Sequence, residues 1–155
     1  ALRAGVAARH WPRAWPDYCG VLDSTIPLMS KLLLVDADEM VRRVTRRLLE
    51  RAGHSVVEAS DGTAALAALE ADQPDVVVTD IIMPGMNGLE LILEVHRRQP
   101  VLPVVAISGG APSNGPDGIL VVARDLGAAA TFPKPLDMPA LLATVGSLAH
   151  RALTA

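Results

Sequence analysis

Four residues of this sequence close apolar runs and together carry a chemistry: Asp36 after KLLLV, Asp80 after VVVT, Ser108 after VVAI, and Lys134 just past the run that ends at Phe132. An apolar run without alternation is the pattern of a parallel strand buried on both faces. In open α/β sheets, ligands bind beyond the carboxyl ends of such strands. Brought to one edge, two carboxylates, a hydroxyl and an ammonium would surround a small cleft. Acids this close repel each other unless a cation joins them, and hard oxygen donors with room for water suit Mg²⁺. A cation held by carboxylates beside a lysine is a site for an anion, most naturally a phosphoryl group. An aspartate there can act as the nucleophile, because metal and lysine neutralise charge on the transferring oxygens. The Ser108 hydroxyl can donate to the bound group and report its arrival to the helix that follows. A single strand-end aspartate more often only caps the next turn; four converging positions argue for a site.

The elements that must position these residues follow one another regularly. Lys31–Asp36 reads as the first strand. A helix from about Glu39 to Ala52 follows, with Val41, Val44, Leu48 and Ala52 on one face and Arg42, Arg43, Arg46, Arg47 and Arg51 opposite. That arginine face reads as solvated surface, with docking of an acidic partner as the lesser alternative. Gly53 stands where a helix stops. His54–Glu58 is a second strand, and Asp61-Gly62 opens an Ala-rich helix to about Ala71. Val76–Asp80 is the third strand, followed by a loop with Pro84 and Gly85 and a helix over Gly88–Arg98. Val104–Ser108 is the fourth strand, and Gly109–Gly118 reads as a flexible connection. A helix over Ile119–Leu126 ends at Gly127, and Ala128–Phe132 is the fifth strand. Asp137 caps a last helix that tolerates Pro139 in its first turn and buries Leu141, Leu142, Val145, Leu148 and Ala149. Strands alternating with helices require right-handed crossovers onto a parallel sheet. The predicted fold class is therefore α/β, a flavodoxin-like doubly wound (βα)5 domain with a five-stranded parallel sheet of order 2-1-3-4-5. In that order the first and third strands are neighbours at the switch point.

Composition sets the bounds. The chain has 155 residues, 50% hydrophobic and 20% charged, which suits one compact domain. A net charge of −3 gives no pull toward nucleic acid, and no basic helix-turn-helix is in evidence. Cys19 is the single cysteine, which excludes an internal disulfide and suits a reducing compartment. No apolar run is long enough to span a bilayer, so no membrane role and a cytoplasmic location are expected. Residues 1–29 differ in character: they hold Trp11, Trp15 and Tyr18 and lack periodicity. They read as a poorly ordered, non-core extension, with Met29 as a plausible natural beginning; a docking peptide built on the two tryptophans is the alternative. The four histidines show no ligand spacing, and His96 reads as surface on a charged helix tail.

The stretch DIIMPGMNGLEL from Asp80, the strand-end Ser-Gly-Gly at Ser108 and the Lys134-Pro135 pair before the last helix resemble the response-regulator receiver domain. The resemblance covers about Lys31–Arg151, with the domain taken as 30–155. It implies that Asp80 is the phospho-acceptor, charged from a phosphohistidine of a sensor histidine kinase or a histidine phosphotransfer protein. It implies further that Lys134 contacts the phosphoryl group, that Ser108 is the switch hydroxyl, and that the backbone carbonyl of Ile82 joins Asp36 and Asp80 around Mg²⁺. The Lys134–Pro135 bond is commonly cis in such domains. Two departures stand out. Receivers usually carry two adjacent acids after the first strand, and here the second is Ala37, leaving Asp38 or water to substitute; magnesium should bind more weakly. Thr131 stands at a switch position where an aromatic is common. The implied role is a stand-alone receiver that signals to a downstream target protein by contact, with a possible homodimer through the fourth helix and fifth strand. Only self-phosphorylation and dephosphorylation chemistry is implied, so the chain is not read as an enzyme.

Two rivals follow from the same residues. Ala37 supports a pseudo-receiver, a protein-binding module without efficient phosphotransfer. LLLVDADE with Ser108 and Lys134 also resembles haloacid-dehalogenase-type phosphatases, with Asp36 as nucleophile and Asp38 as acid/base. That family needs an acidic pair after the lysine, and here only Asp137 follows.

Overall fold

The structure, a computed structural model, describes residues 29–109 and 115–154. The extension with Trp11, Trp15, Tyr18 and Cys19, and residues 110–114 of the Gly-rich connection after Ser108, lie outside the described residues. The elements are β1 (Lys31–Val35), α1 (Glu39–Arg51), β2 (Ser55–Ala59), α2 (Gly62–Asp72), β3 (Val76–Asp80), α3 (Gly88–Arg98), β4 (Val104–Ser108), α4 (Gly115–Asp125), β5 (Ala130–Pro133) and α5 (Met138–Thr154). All four strand pairings are parallel, in the order β2-β1-β3-β4-β5. The sheet is the one the sequence pattern predicts.

Period-2 alternation sorts the strand residues into two cores. Leu33, Val35 and Val77 face Leu69 of α2 and Leu91, Ile92 and Val95 of α3. Leu32, Leu34, Val76 and Val78 face Leu49 of α1 and Leu141 and Val145 of α5. With helices on both sides, both faces of the central strands must be apolar, which is why β3 and β4 are buried at every position. The polar residues of these two strands, Thr79, Asp80 and Ser108, gather at their carboxyl ends.

Most boundaries agree with the sequence pattern within one residue; two starts and one helix face differ more. The helix expected at Ile119 starts at Gly115, because Pro116 falls in its first turn, where no N–H partner is lost. The fifth strand starts at Ala130 instead of Ala128. Gly127, at φ 109°, turns the chain, and the Ala128 amide closes the end of α4 on the Ala123 carbonyl at 2.9 Å. The packed face of α1 is also rotated. Thr45 and Leu49 are its buried residues and Val44 is 52% exposed, so Arg42 and Arg46 turn toward β2 instead of lying opposite the core.

Candidate functional site

Register brings the site together. Val35 pairs with Thr79, so the residues that follow, Asp36 and Asp80, leave adjacent strands side by side. Across β4, Ser108 pairs with Pro133, and the Lys134 amide donates to the Ser108 carbonyl at 2.9 Å. From there the Lys134 Nζ donates to Asp80 Oδ2 at 2.9 Å and lies 3.6 Å from Asp36 Oδ2. The remaining carboxylate oxygens are met by main-chain amides. Asp38 N–H donates to Asp36 Oδ1 at 2.8 Å, and Ile82 N–H donates to Asp80 Oδ1 at 3.2 Å. Asp36 and Asp80 are 6% and 8% exposed and Ser108 is fully buried, so all three sit in a partly desolvated recess at the carboxyl edge.

Burial pushes the Asp36 carboxyl above the ordinary range, and the Asp80 charge adds to this, against the Asp38 amide and Lys134, which favour the anion. Burial works against the Lys134 ammonium, yet its contacts with Asp80 and Asp36 outweigh that and raise its pKa. The recess therefore holds two acids around one shared cation, an arrangement that a further positive charge would relieve.

One packing detail fixes the Asp80 backbone. A Cβ on Gly88, at the start of α3, would lie 2.3 Å from the Asp80 carbonyl oxygen and 2.6 Å from the Ile81 Cα. Only a hydrogen fits, and the Gly88 amide donates to the Ile81 carbonyl at 2.8 Å. The Asn87–Glu90 capping box holds that helix start in place. The loop between is pinned on its other side, where Met86 packs directly over Gly62 at the head of α2.

Of the residues singled out from sequence, Asp36, Asp80 and Lys134 meet, and Ser108 lies at the same edge. Asp38 is engaged differently: its Oδ1 accepts from Met40 N–H at 2.9 Å and Val41 N–H at 3.1 Å, as the N-cap of α1. Thr131 lies on β5, and its hydroxyl accepts from the Arg124 Nε of α4 at 2.8 Å. Ile82 offers its amide to Asp80 while its side chain is 48% exposed. Ala37 is exposed, with a methyl group where a second acid would stand. The Lys134–Pro135 bond is cis. Asp137 accepts from Ala140 N–H at 3.1 Å as a helix cap, and Lys134 bonds Asp80 more closely than Asp36; neither suits the phosphatase assignment. His96 is half-buried and not the surface residue its helix tail suggests, because its ring lies over Gly127.

Arg42 and Glu58 escaped the sequence reading. Arg42 donates from Nη1 to the Asp36 carbonyl at 2.7 Å, and its Nε is 3.2 Å from Glu58 Oε1. The available signal was spacing: Arg42 is four residues past the Asp38 cap, which brings it back over the helix start on the side of β1.

Among the described residues no group of three or more His, Cys, Asp or Glu side chains gathers as a metal cluster. The donor set is the two carboxylates of Asp36 and Asp80, which flank the Lys134 ammonium. That set fits Mg²⁺, which is commonly held by one or two carboxylates and completed by water and phosphate oxygens.

Comparison with known proteins agrees with this geometry. A family model described as response regulator receiver domain matches residues 32–146. The DNA-binding transcriptional regulator NtrC of Salmonella typhimurium is 37% identical over 112 residues, 72% of this chain and 23% of that protein. The response regulator MprA of Mycolicibacterium vanbaalenii is 35% identical over 123 residues, 78% of this chain and 51% of that protein. The crystal structure of the receiver domain of NtrX from Brucella abortus superimposes with a TM-score of 0.70 at 31% identity, covering 77% of this chain and 98% of that one. The chain spans at most about half the length of these curated relatives, 23% and 51%.

Proposed function

We propose a phosphoryl-accepting signalling function from one premise: this chain belongs to the response regulator receiver domain family. Asp80 is the acceptor. Its carboxylate oxygen attacks the phosphorus of a phosphohistidine on a sensor histidine kinase or histidine phosphotransfer protein. An O–P bond forms, the P–N bond breaks, and the departing imidazole keeps the electron pair and takes up a proton. The observation that supports this reading is Lys134 Nζ at 2.9 Å from Asp80 and 3.6 Å from Asp36, an ammonium set beside the nucleophile where phosphoryl charge would gather. Asp36, Asp80 and the Ile82 carbonyl would hold Mg²⁺, which supplies charge compensation for the phosphoryl oxygens when bound. Ser108 would donate to the phosphoryl group and Thr131 would act at the switch position.

Residues 30–155 act as the receiver unit, and residues 1–29 as an extension outside it. The unit works in the cytoplasm, passing its state to a target protein by contact, and a homodimer through α4 and β5 belongs to the same proposal. No helix among the described residues is long and apolar enough to cross a membrane. The pseudo-receiver reading is favoured by one specific feature, the methyl group of Ala37. Titration with Mg²⁺ and beryllofluoride, followed through backbone amide shifts, separates the two. Phosphotransfer predicts saturable shifts at Asp80, Ile82 and Ser108 at millimolar metal; their absence supports the binding module and overturns the acceptor role.

A further inference from the structure

The first strand contributes one carboxylate to the site, and its placement depends on how the Asp36 peptide groups are held. The Asp36 amide donates to the Ala59 carbonyl of β2 at 3.2 Å. The Asp36 carbonyl accepts from Arg42 Nη1 at 2.7 Å, a charge-assisted bond from a side chain only 15% exposed. The guanidinium is itself anchored. Its Nε lies 3.2 Å from Glu58 Oε1, an ion-pair contact that does not complete a hydrogen bond at that nitrogen. The other Glu58 oxygen accepts from Arg46 Nη1 at 2.6 Å, and Arg46 Nε donates to Glu50 at 2.7 Å. Glu58 stands opposite Leu34 in the β1–β2 register, two residues before Asp36. A chain of charged groups thus runs from α1 through β2 to the strand end that carries the site acid.

We infer that Arg42 is a positioning residue for Asp36: it fixes the peptide from which the carboxylate projects toward Lys134, and through it the capacity of the site for a divalent cation. The functional half of this inference rests on the phospho-acceptor reading above. Ala37 sharpens the dependence, since no adjacent acid shares the work of Asp36. Arginine is required because one planar group must donate to the Asp36 carbonyl while its other edge lies in ion-pair contact with Glu58; a lysine ammonium on a flexible stem reaches one of them at a time. With the arginine gone, the Asp36 carbonyl turns to water and the following peptide is free to rotate. That peptide carries the chain to the Asp38 amide, which donates to Asp36 Oδ1 at 2.8 Å.

The test compares Arg42→Ala, Arg42→Lys and Glu58→Gln with Arg47→Ala, an exposed arginine on the same helix. The first readout needs no metal: the Asp38 amide proton, its NMR shift and its exchange protection report the bond to Asp36. The second is Mg²⁺ affinity by amide-shift titration. Arg42→Ala is expected to move the Asp38 amide upfield, reduce its protection and weaken Mg²⁺ binding about tenfold, the usual scale for losing a group that orients a metal ligand. Arg42→Lys and Glu58→Gln are expected to fall between, and Arg47→Ala to match the unaltered protein. A folded Arg42→Ala protein with an unchanged Asp38 amide and unchanged Mg²⁺ affinity overturns the inference. If Arg42→Ala does not fold, the same two readouts on Arg42→Lys and Glu58→Gln decide it. Failure of the unaltered protein to bind Mg²⁺ or accept phosphate overturns the receiver chemistry instead, and the Asp38 amide keeps the two outcomes apart.

Discussion

Replacing Gly88 by alanine should damage the fold and the site together, and the size of the effect follows from the contact at the head of α3. An added Cβ would stand 2.3 Å from the Asp80 carbonyl oxygen and 2.6 Å from the Ile81 Cα, both backbone atoms that cannot swing aside. Restoring ordinary contact requires roughly 1 Å of separation between α3 and the end of β3, a strain that costs about 1–3 kcal/mol. That movement also stretches the 2.8 Å bond from the Gly88 amide to the Ile81 carbonyl beyond useful length, at about 1 kcal/mol. The better helix propensity of alanine returns at most about 1 kcal/mol. The net loss is about 2 kcal/mol, read as a lower urea midpoint at unchanged slope. Gly146 is the control: it lies in α5 with nothing within 4 Å of an added Cβ, so Gly146→Ala should be neutral or stabilising. Because the Gly88 clash falls on the Asp80 peptide, Gly88→Ala should also slow phosphorylation at a temperature where it remains folded. Gly88→Ala with a midpoint and a phosphorylation rate equal to the unaltered protein would refute the close-contact reasoning.

Three further outcomes follow from the charges. Lys134→Ala should nearly abolish phosphorylation and lower stability at neutral pH. In the unaltered protein the raised Lys134 pKa means that its stabilisation is complete below the usual lysine range and lost as pH rises through its folded value, which a urea series from pH 7 to 11 would reveal. Asp36→Asn should abolish metal binding yet stabilise the metal-free fold at pH 7. Burial and Asp80 raise the Asp36 pKa, so its anion opposes folding, and the advantage of asparagine should vanish as pH falls through the folded Asp36 value; denaturation with a chelator present at pH 7 and pH 4 checks this. His54, its Nδ1 2.6 Å from Ser30 Oγ, has its pKa lowered by burial from 6.5, so the fold favours neutral imidazole. Stability should fall as pH drops below about 6.5, and His54→Gln should flatten that slope in thermal melts from pH 7 to pH 5.

The parts of this molecule written in apolar runs are legible in the sequence itself. Strand ends at Asp36, Asp80 and Ser108 can be read because a strand buried on both faces stays apolar until its last residues; Thr79, the residue before Asp80, is accommodated by donating its hydroxyl to the Asp80 carbonyl at 2.8 Å. Helix faces are read less well when short side chains and long amphipathic ones compete. In α1, Thr45 is buried and Val44 exposed because the stems of Arg42 and Arg46 pack toward Glu58. Charge pairs between distant segments leave only a faint local trace, here the four-residue spacing of Arg42 from the Asp38 cap, so Arg42 reads as solvated surface although it holds the Asp36 carbonyl. The opposite case is Asp38, whose position suggested a substitute metal ligand. Its location just before a helix made capping equally available, and the two α1 amides take its Oδ1.

The most direct measurement is the chemical location of the phosphoryl group. The protein is incubated with Mg²⁺ and a phosphohistidine donor or a small acyl phosphate, reduced with borohydride to convert any aspartyl phosphate to a stable alcohol, and mapped by peptide mass spectrometry. Conversion at Asp80 alone, lost in Asp80→Asn and in the absence of Mg²⁺, is the predicted result. Conversion at Asp36, or no acyl phosphate anywhere on the chain, contradicts the assignment of this recess as a phospho-acceptor site.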